Sequence, residues 1–212
     1  MATKRLLKSK DLLIQTGISL FGASSADVVS TDEIIRVCGV SKQTFYNHFK
    51  DKSSLIREVL RVVRRDYEAT CTRVNQEEKD PARRVARALC VYARLALDDR
   101  QRGCVLARML MEDLAFENET NRGVISDVSA GLTAGRLAVL GRETGVTFIF
   151  GVTQALITRV LDCKDVATAV AASQQFATLL LRAFGISPSE SEMIAAQAAD
   201  GIVRQGIDPK PG

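Results

Sequence analysis

The 212-residue sequence contains no tryptophan and only one histidine, His48. A catalytic site built on a second histidine is therefore excluded, and the sequence has no H-E-x-x-H motif, P-loop or dinucleotide-binding glycine fingerprint. The five cysteines are odd in number and no two have C-x-x-C spacing, which argues against a disulfide framework and a thiolate zinc site. We expect no enzymatic activity, no cofactor and no metal.

Long apolar runs are also lacking. No hydrophobic stretch approaches 18 residues, and the first fifteen residues have no apolar core, so we expect neither a membrane-spanning helix nor a secretory signal. Hydrophobic residues make up 46% of the chain and charged residues 25%, which is typical of soluble globular proteins. With scattered cysteines, this composition predicts a cytoplasmic protein that does not act on membranes.

Charge is distributed unevenly along the chain. Residues 1–65 hold 12 Lys or Arg against 6 Asp or Glu, whereas the remainder holds 17 against 19. A basic N-terminal third on a near-neutral body is typical of a protein that presents one end to a polyanion. A solvated, lysine-rich surface would give the same numbers, so charge alone leaves both interpretations open.

Apolar residues recur at helical spacing almost throughout, which predicts an all-α fold of about nine to ten helices. We expect an N-terminal helix-turn-helix domain over 1–50, a connecting helix over 51–75, and a larger helical domain over 76–212. Asp80-Pro81 and Ser187-Pro188 have the pattern of a helix cap followed by proline, and Glu190 would complete a capping box with Ser187. The larger domain is predicted to contain helices over 81–98, 104–116, 122–140, 146–163, 166–184 and 188–204.

Residues 30–49 have the pattern helix, short glycine-containing turn, helix. This is the helix-turn-helix arrangement, in which the second helix enters the DNA major groove. At 100° per residue, Phe45 and Phe49 point inward, while Gln43, Thr44 and Asn47 point outward. Glutamine, asparagine, lysine and threonine side chains can pair with base edges.

Lys52 follows this motif in the first turn of the next helix, which Asp51 is expected to cap. A cation is disfavoured there by the helix dipole, so a docked phosphate would explain its position. A long side chain that simply extends into water is the alternative.

Residues 10–55 resemble the DNA-binding domain of the TetR family of transcriptional regulators, without a gap. The stretch GVSKQTFYNHFKDK is the most specific part, and the other matching residues are Leu13, Phe21, Ile34 and Leu55. Ser25, Ile35, Cys38 and Gln43 depart from the usual family residues. The first three concern packing, and Gln43 would alter the operator sequence that is bound.

The resemblance implies roles for individual residues. Thr31, Tyr46, His48 and Lys52 would contact phosphates, Lys42, Gln43 and Thr44 would face bases, and Asn47 is a further candidate for DNA contact. His48 packed at the helix end and Tyr46 in the core are the structural alternatives.

The resemblance also implies a C-terminal domain that dimerises and encloses a small-molecule pocket. We expect the dimer seam on the helices within 146–184, although part of the same set would fill the core of one chain: Leu156, Val160, Val170, Ala177, Leu180, Leu181 and Phe184. The pocket candidates are residue types that line adaptable apolar cavities: Tyr92, Met109, Met111, Phe116, Phe148 and Gln154. Each of them is also a plausible core residue.

These observations predict a homodimer that binds palindromic double-stranded DNA. We expect a repressor that is released by a small apolar or amphipathic effector. An activator or a ligand-insensitive DNA-binding protein is the alternative, and an enzyme on a helical scaffold is a remote third possibility.

Overall fold

The computed structural model describes residues 2–111 and 119–207, except for the side chains of residues 2–7. All regular structure in these ranges is helical, which confirms the all-α prediction. The ten α-helices are α1 Ala2–Ala23, α2 Thr31–Cys38, α3 Lys42–His48, α4 Lys52–Val74, α5 Pro81–Asp98, α6 Arg100–Met109, α7 Arg122–Thr133, α8 Arg142–Leu161, α9 Val166–Ala183 and α10 Pro188–Ala198. A 3₁₀ turn, Glu119–Asn121, precedes α7, and a π-helical segment, Ala199–Arg204, follows α10.

Local capping explains most helix boundaries. Asp51 accepts a hydrogen bond from the Ser54 backbone at the start of α4, and Asp80 accepts one from Ala82 at the start of α5. Both caps confirm the sequence prediction. The capping box predicted for α10 is wrong, because Ser187 makes no side-chain capping bond and Glu190 instead pairs with Arg136 at 2.6 Å.

The predicted helix over 122–140 is too long. Helix α7 ends at Thr133, because Gly135 takes a left-handed φ of +63° and the backbone amide of Arg136 donates back to the carbonyl of Gly131. Helix α8 begins at Arg142, four residues before its predicted start, and α6 runs from Arg100 to Met109 instead of 104–116. Part of that last prediction lies outside the described residues.

The N-terminal helices α1, α2 and α3 pack on one another, and α1 also contacts α4 and α6. Helix α4 continues from this group to α5 and α6. Helix α5 is the centre of the larger part, because it contacts α4, α6, α7, α8, α9 and α10. Helices α4 and α6 therefore link the two ends of the chain.

Helix α8 is long and apolar enough to cross a membrane by length and composition, contrary to our expectation from sequence. It nevertheless packs against α5, α6, α7 and α9, and 44% of its apolar stretch is buried within one chain. One face of α8 is therefore part of the core, and the opposite face is exposed on the single chain.

All seven residues predicted for the dimer seam are buried inside a single chain. Their exposed fractions do not exceed 5%, so they are not available to a partner: Leu156, Val160, Val170, Ala177, Leu180, Leu181 and Phe184. The prediction is wrong because the most apolar faces of α8 and α9 pack on each other and on α5.

Candidate nucleic-acid interface and ligand cavity

Helices α2 and α3 form a helix-turn-helix whose geometry is set by short-range hydrogen bonds. Ser30 caps α2 by accepting from the Glu33 amide, and Gly39 ends the helix with a φ of +70°. Only glycine adopts this left-handed conformation without strain. Ser41 then caps α3 by accepting from the Thr44 amide at 3.1 Å, so the turn between the helices is only a few residues long.

The inner face of α3 is anchored by two aromatic rings. Phe45 is fully buried and Phe49 nearly so, with 6.0 Å between their ring centroids. Both belong to the hydrophobic core that also includes Leu13 and Leu55. This confirms the inward orientation predicted for the two phenylalanines.

The outer face of α3 carries exposed polar side chains. Lys42 forms an exposed ion pair with Asp32 at 2.9 Å, and this pairing raises the pKa of Lys42. Gln43 donates from Nε2 to Oδ1 of Asn47 at 3.0 Å. These surface contacts are worth little in water and exchange easily for contacts to another molecule.

Thr44 and Tyr46 differ in accessibility. The Thr44 hydroxyl lies 2.8 Å from Oγ of Ser41 and the side chain is half-buried. Tyr46 is 51% exposed and packs edge-on against Phe45, so it is not a core residue. Thr31, the first residue of α2, is half-buried.

His48 and Lys52 are both tied to other parts of the N-terminal domain. Nε2 of His48 lies 2.8 Å from Oγ of Ser9, which joins the end of α3 to α1. The ammonium of Lys52 donates to the carbonyls of Ala26 and Val29, at 2.9 and 3.0 Å. Lys52 therefore holds the segment between α1 and α2, a role that its position in the sequence did not suggest.

A small cavity of about 40 Å³ lies between α4, α5, α7 and α8 and opens to the surface. The walls are mostly apolar and include Val85, Leu89, Val124, Ile149 and Phe150. Several polar side chains also line it, and the acidic ones are Glu68 on α4 and Asp127 on α7.

The two carboxyl groups have unusual surroundings. Burial raises the pKa of Glu68, and Oε1 of Glu68 accepts a hydrogen bond from the Tyr92 hydroxyl at 2.6 Å. Burial also raises the pKa of Asp127, and the Arg84 guanidinium opposes that shift by donating from Nε to Oδ1 at 2.5 Å. Perturbed carboxyl groups in a cavity mark it as a functional-site candidate.

One of the pocket candidates, Tyr92, lines this cavity. Met109 is buried elsewhere in the core, Met111 lies at the surface, and Phe148 is 45% exposed beside Phe184. Gln154 donates to the carbonyl of Ala107 on α6 at 2.8 Å. Phe116 lies outside the described residues.

Two family models match the sequence. Residues 13–59 match bacterial regulatory proteins of the tetR family, and residues 80–197 match the tetracyclin repressor-like C-terminal domain. Together they cover most of the chain, and the first match contains the helix-turn-helix described above. The chain belongs to the TetR family.

Solved structures have the same fold over nearly the whole chain. RolR in complex with resorcinol is 23% identical, with a TM-score of 0.65 over 92% of this chain and 96% of that one. RolR without ligand is 26% identical, with a TM-score of 0.64 over 88% of this chain and 96% of that one. A tetR-family regulator from Shewanella sp. PV-4 is 16% identical, with a TM-score of 0.69 over 82% and 97%. No curated protein sequence matches.

As a member of the TetR family, this protein is a DNA-binding transcriptional regulator and not an enzyme. In the described ranges, no group of three or more His, Cys, Asp or Glu side chains is arranged to hold a metal. Burial raises the pKa of Cys90 to about 12, so this thiol is not activated as a redox sensor.

Sequence analysis missed Glu68 and Asp127 because charged residues on a helix are normally solvated. A signal was nevertheless present on α4. Arg64, Glu68, Cys71 and Asn75 recur at helical spacing and form one partly polar stripe, of which Glu68, Cys71 and Asn75 line the cavity.

Proposed function

We propose that this TetR-family protein is a cytoplasmic, homodimeric repressor. It binds a two-fold-symmetric operator through α3 and leaves the operator when a small amphipathic effector occupies the cavity. The observation that carries the proposal is the exposed polar face of α3, whose opposite face is anchored by Phe45 and Phe49. A rigidly held helix of this kind can enter the major groove.

In the proposed complex, Lys42, Gln43 and Thr44 face base edges from the first turn of α3. Asn47 assists by orienting the Gln43 amide, to which it is already hydrogen-bonded. Tyr46 contacts phosphate through its hydroxyl, and Thr31 and His48 lie toward the backbone. Lys52 acts mainly by holding the α1–α2 segment in place.

The dimer is proposed to form through the outer faces of α8 and α9. The outer face of α8 keeps exposed apolar side chains on the single chain, and such surface is costly in water unless another surface covers it. Phe148 and Leu179 are 45% and 64% exposed on these two helices. Ala155 and Ala171 are small enough to let a second pair of helices approach closely.

The cavity is proposed to communicate with α3 through α6 and α1. Gln154 on α8 binds the Ala107 carbonyl, and the next residue, Arg108, donates to the carbonyls of Phe21 and Gly22 at 2.6 and 2.7 Å. Helices α1 and α6 are in close contact near Gly22, since a Cβ at Gly22 would lie 2.7 Å from the carbonyl oxygen of Gln101. A shift of α8 on ligand binding would thus be passed to α1.

Selection of bound fragments from the source genome, followed by gel-shift titration, tests the proposed DNA contacts. Tyr46→Phe should weaken binding to all sequences alike, whereas Gln43→Ala should relax preference at one base pair per half-site by about 1–3 kcal/mol. Lys79→Met, an exposed change on the connection before α5, is the control for loss of positive charge. Wild-type affinity and specificity in both interface variants would contradict the assignment.

Light scattering of the purified protein tests the proposed dimer interface. Leu179→Glu should yield monomers, since it places two buried charges at the proposed seam, and should weaken operator binding with them. Met193→Glu on α10, where the parent side chain is 44% exposed, is the matched control. A Leu179→Glu protein that remains dimeric would place the seam elsewhere.

Transcript levels in a deletion strain distinguish a repressor from an activator. Loss of a repressor raises the transcripts of the genes beside the operator, and loss of an activator lowers them. A ligand-insensitive protein would bind the operator equally well with the cavity filled by mutation.

A further inference from the structure

An acidic side chain lies on the surface that is proposed to meet DNA. The carboxylate of Asp32, in the first turn of α2, accepts from the Lys42 ammonium at 2.9 Å. This hydrogen bond raises the pKa of Lys42, and nearby Tyr46 adds to the effect, so Asp32 shares a surface with Lys42 and Tyr46. Because DNA is a polyanion, an unpaired carboxylate at this position would weaken binding to every sequence.

The local structure of α2 does not account for Asp32. Ser30 caps the helix by accepting from the Glu33 amide, and the Asp32 side chain is 76% exposed, so it supplies neither the cap nor core packing. An acidic residue in the first turn of a helix favours the helix dipole, but Glu33 lies in the same turn and carries the same charge. What distinguishes Asp32 from Glu33 is the contact with Lys42.

The ion pair leaves the Lys42 ammonium able to make further contacts. An ammonium has three N–H donors, and Asp32 engages one of them. The Lys42 side chain is 66% exposed, so its other donors are open to another molecule. Guanine presents two neighbouring acceptors, N7 and O6, in the major groove. A guanine can therefore accept from the two remaining donors while the third stays on Asp32.

A DNA phosphate competes poorly for the same ammonium. Moving Lys42 to the DNA backbone exchanges one exposed ion pair for another, and such pairs are weak in water. The exchange also leaves the Asp32 carboxylate without its partner beside a polyanion. On random DNA the ion pair is therefore retained, and Lys42 neutralises no phosphate.

We propose that Asp32 is a specificity-determining residue, which holds Lys42 for a guanine and withholds it from phosphates. Asp32 lowers the affinity for random DNA, whereas at the operator Lys42 contacts the carboxylate and the base together. The inference rests on the proposed binding of DNA through α3, and it adds a residue of α2 to the determinants of specificity.

Fluorescence anisotropy with the full-length protein tests this inference on two duplexes of equal length, the selected operator and a scrambled sequence of the same composition. Asp32→Asn should raise the affinity for the scrambled duplex about fivefold and change operator affinity by less than about twofold. On the scrambled duplex, the slope of log affinity against log salt should steepen by about 1.8 for a dimer, since each released Lys42 neutralises one phosphate.

Two control variants separate this role from a general charge effect. Glu33→Gln removes the same charge from the same turn of α2, and Glu33 has no ion pair in the part of the chain that the structure describes. This variant should keep the parental ratio of operator affinity to scrambled affinity. In a protein that already carries Lys42→Met, Asp32→Asn should leave the salt slope unchanged, because no lysine is released to reach a phosphate.

Modified operators test the base that Lys42 contacts. Replacing each guanine of the half-site in turn by 7-deazaguanine removes its N7 acceptor. At one position this replacement should weaken binding of the parent protein and leave binding of the Lys42→Met variant unchanged. Equal sensitivity of the two proteins at every guanine would overturn the assignment of Lys42 to a guanine.

The remaining outcomes distinguish this inference from the proposed function. An unchanged affinity ratio in Asp32→Asn, an equal change in Glu33→Gln, or a salt slope that steepens equally with and without Lys42 would each overturn the inference. If the parent protein prefers the operator in those cases, the proposed function stands. If the parent protein binds operator and scrambled DNA alike, the proposed function fails and the inference fails with it.

Discussion

Replacing Lys52 by methionine separates two roles that this residue can have in operator binding. In the structure its ammonium donates to the carbonyls of Ala26 and Val29, which fixes the segment leading into α2. Methionine keeps the length of the side chain but donates nothing. Two hydrogen bonds from a partly exposed charged donor are lost, so we expect a decrease of about 1–2 kcal/mol in the free energy of unfolding.

The salt dependence of operator binding decides the role of Lys52. A dimer that loses one phosphate contact per subunit should lose about 1.8 from the slope of log affinity against log salt. If Lys52 instead positions α2, affinity should fall by a similar factor at every salt concentration and the slope should stay the same. Fluorescence anisotropy between roughly 50 and 200 mM salt resolves these outcomes.

Lys79→Met serves as the control, since it removes an exposed charge outside the helix-turn-helix. Denaturant unfolding of both variants supplies the stability change. A Lys52→Met protein with parental stability, whose slope of log affinity against log salt is reduced by about 2, would refute the positioning role. That result would support the phosphate contact predicted from sequence.

Three further predictions concern ionisable groups. Burial raises the pKa of Glu68 above its ordinary 4.5, so the charged form of this carboxyl group destabilises the fold. Glu68→Gln should therefore raise the melting temperature at neutral pH, and the gain should vanish as pH falls toward 4.5. Arg61 and Lys10 lower the pKa of Glu58 to about 2. Above pH 4.5, Glu58→Gln should lower the free energy of unfolding by about 1 kcal/mol after allowance for solvent screening. In denaturant titrations, this difference from the parent should disappear as pH falls through 2. Arg108→Gln should weaken operator binding roughly fivefold in gel shifts while calorimetric ligand binding stays unchanged; a parental operator affinity would exclude Arg108 from the coupling.

The features that sequence predicted well are local ones. The caps at Asp51 and Asp80 depend on residues two or three positions away, and the inward faces of Phe45 and Phe49 follow from helical spacing alone. Such patterns are readable because the interacting groups are close in the chain. The partner of Lys52 was not predictable in this way, since its acceptors are backbone carbonyls more than twenty residues earlier.

The dimer surface and the cavity depend on how helices pack, which spacing does not determine. An apolar stripe on α9 indicates burial, but it does not say whether the burying surface belongs to the same chain, and Leu180 and Leu181 proved to be internal. Glu68 looked like a surface charge because its neighbours in the cavity come from three other helices. Only their assembly gives it a buried environment.

The clasp between Arg108 and the end of α1 has a consequence for protein engineering. Three backbone carbonyls, of Phe21, Gly22 and Ser24, receive their donors from a side chain in the other half of the molecule. A DNA-binding fragment that is truncated after α4 would therefore have a frayed first helix. Chimaeras that exchange operator specificity between regulators should transfer α6 together with helices α1–α4. Otherwise the recipient must supply an arginine and a close-fitting backbone at the equivalent place.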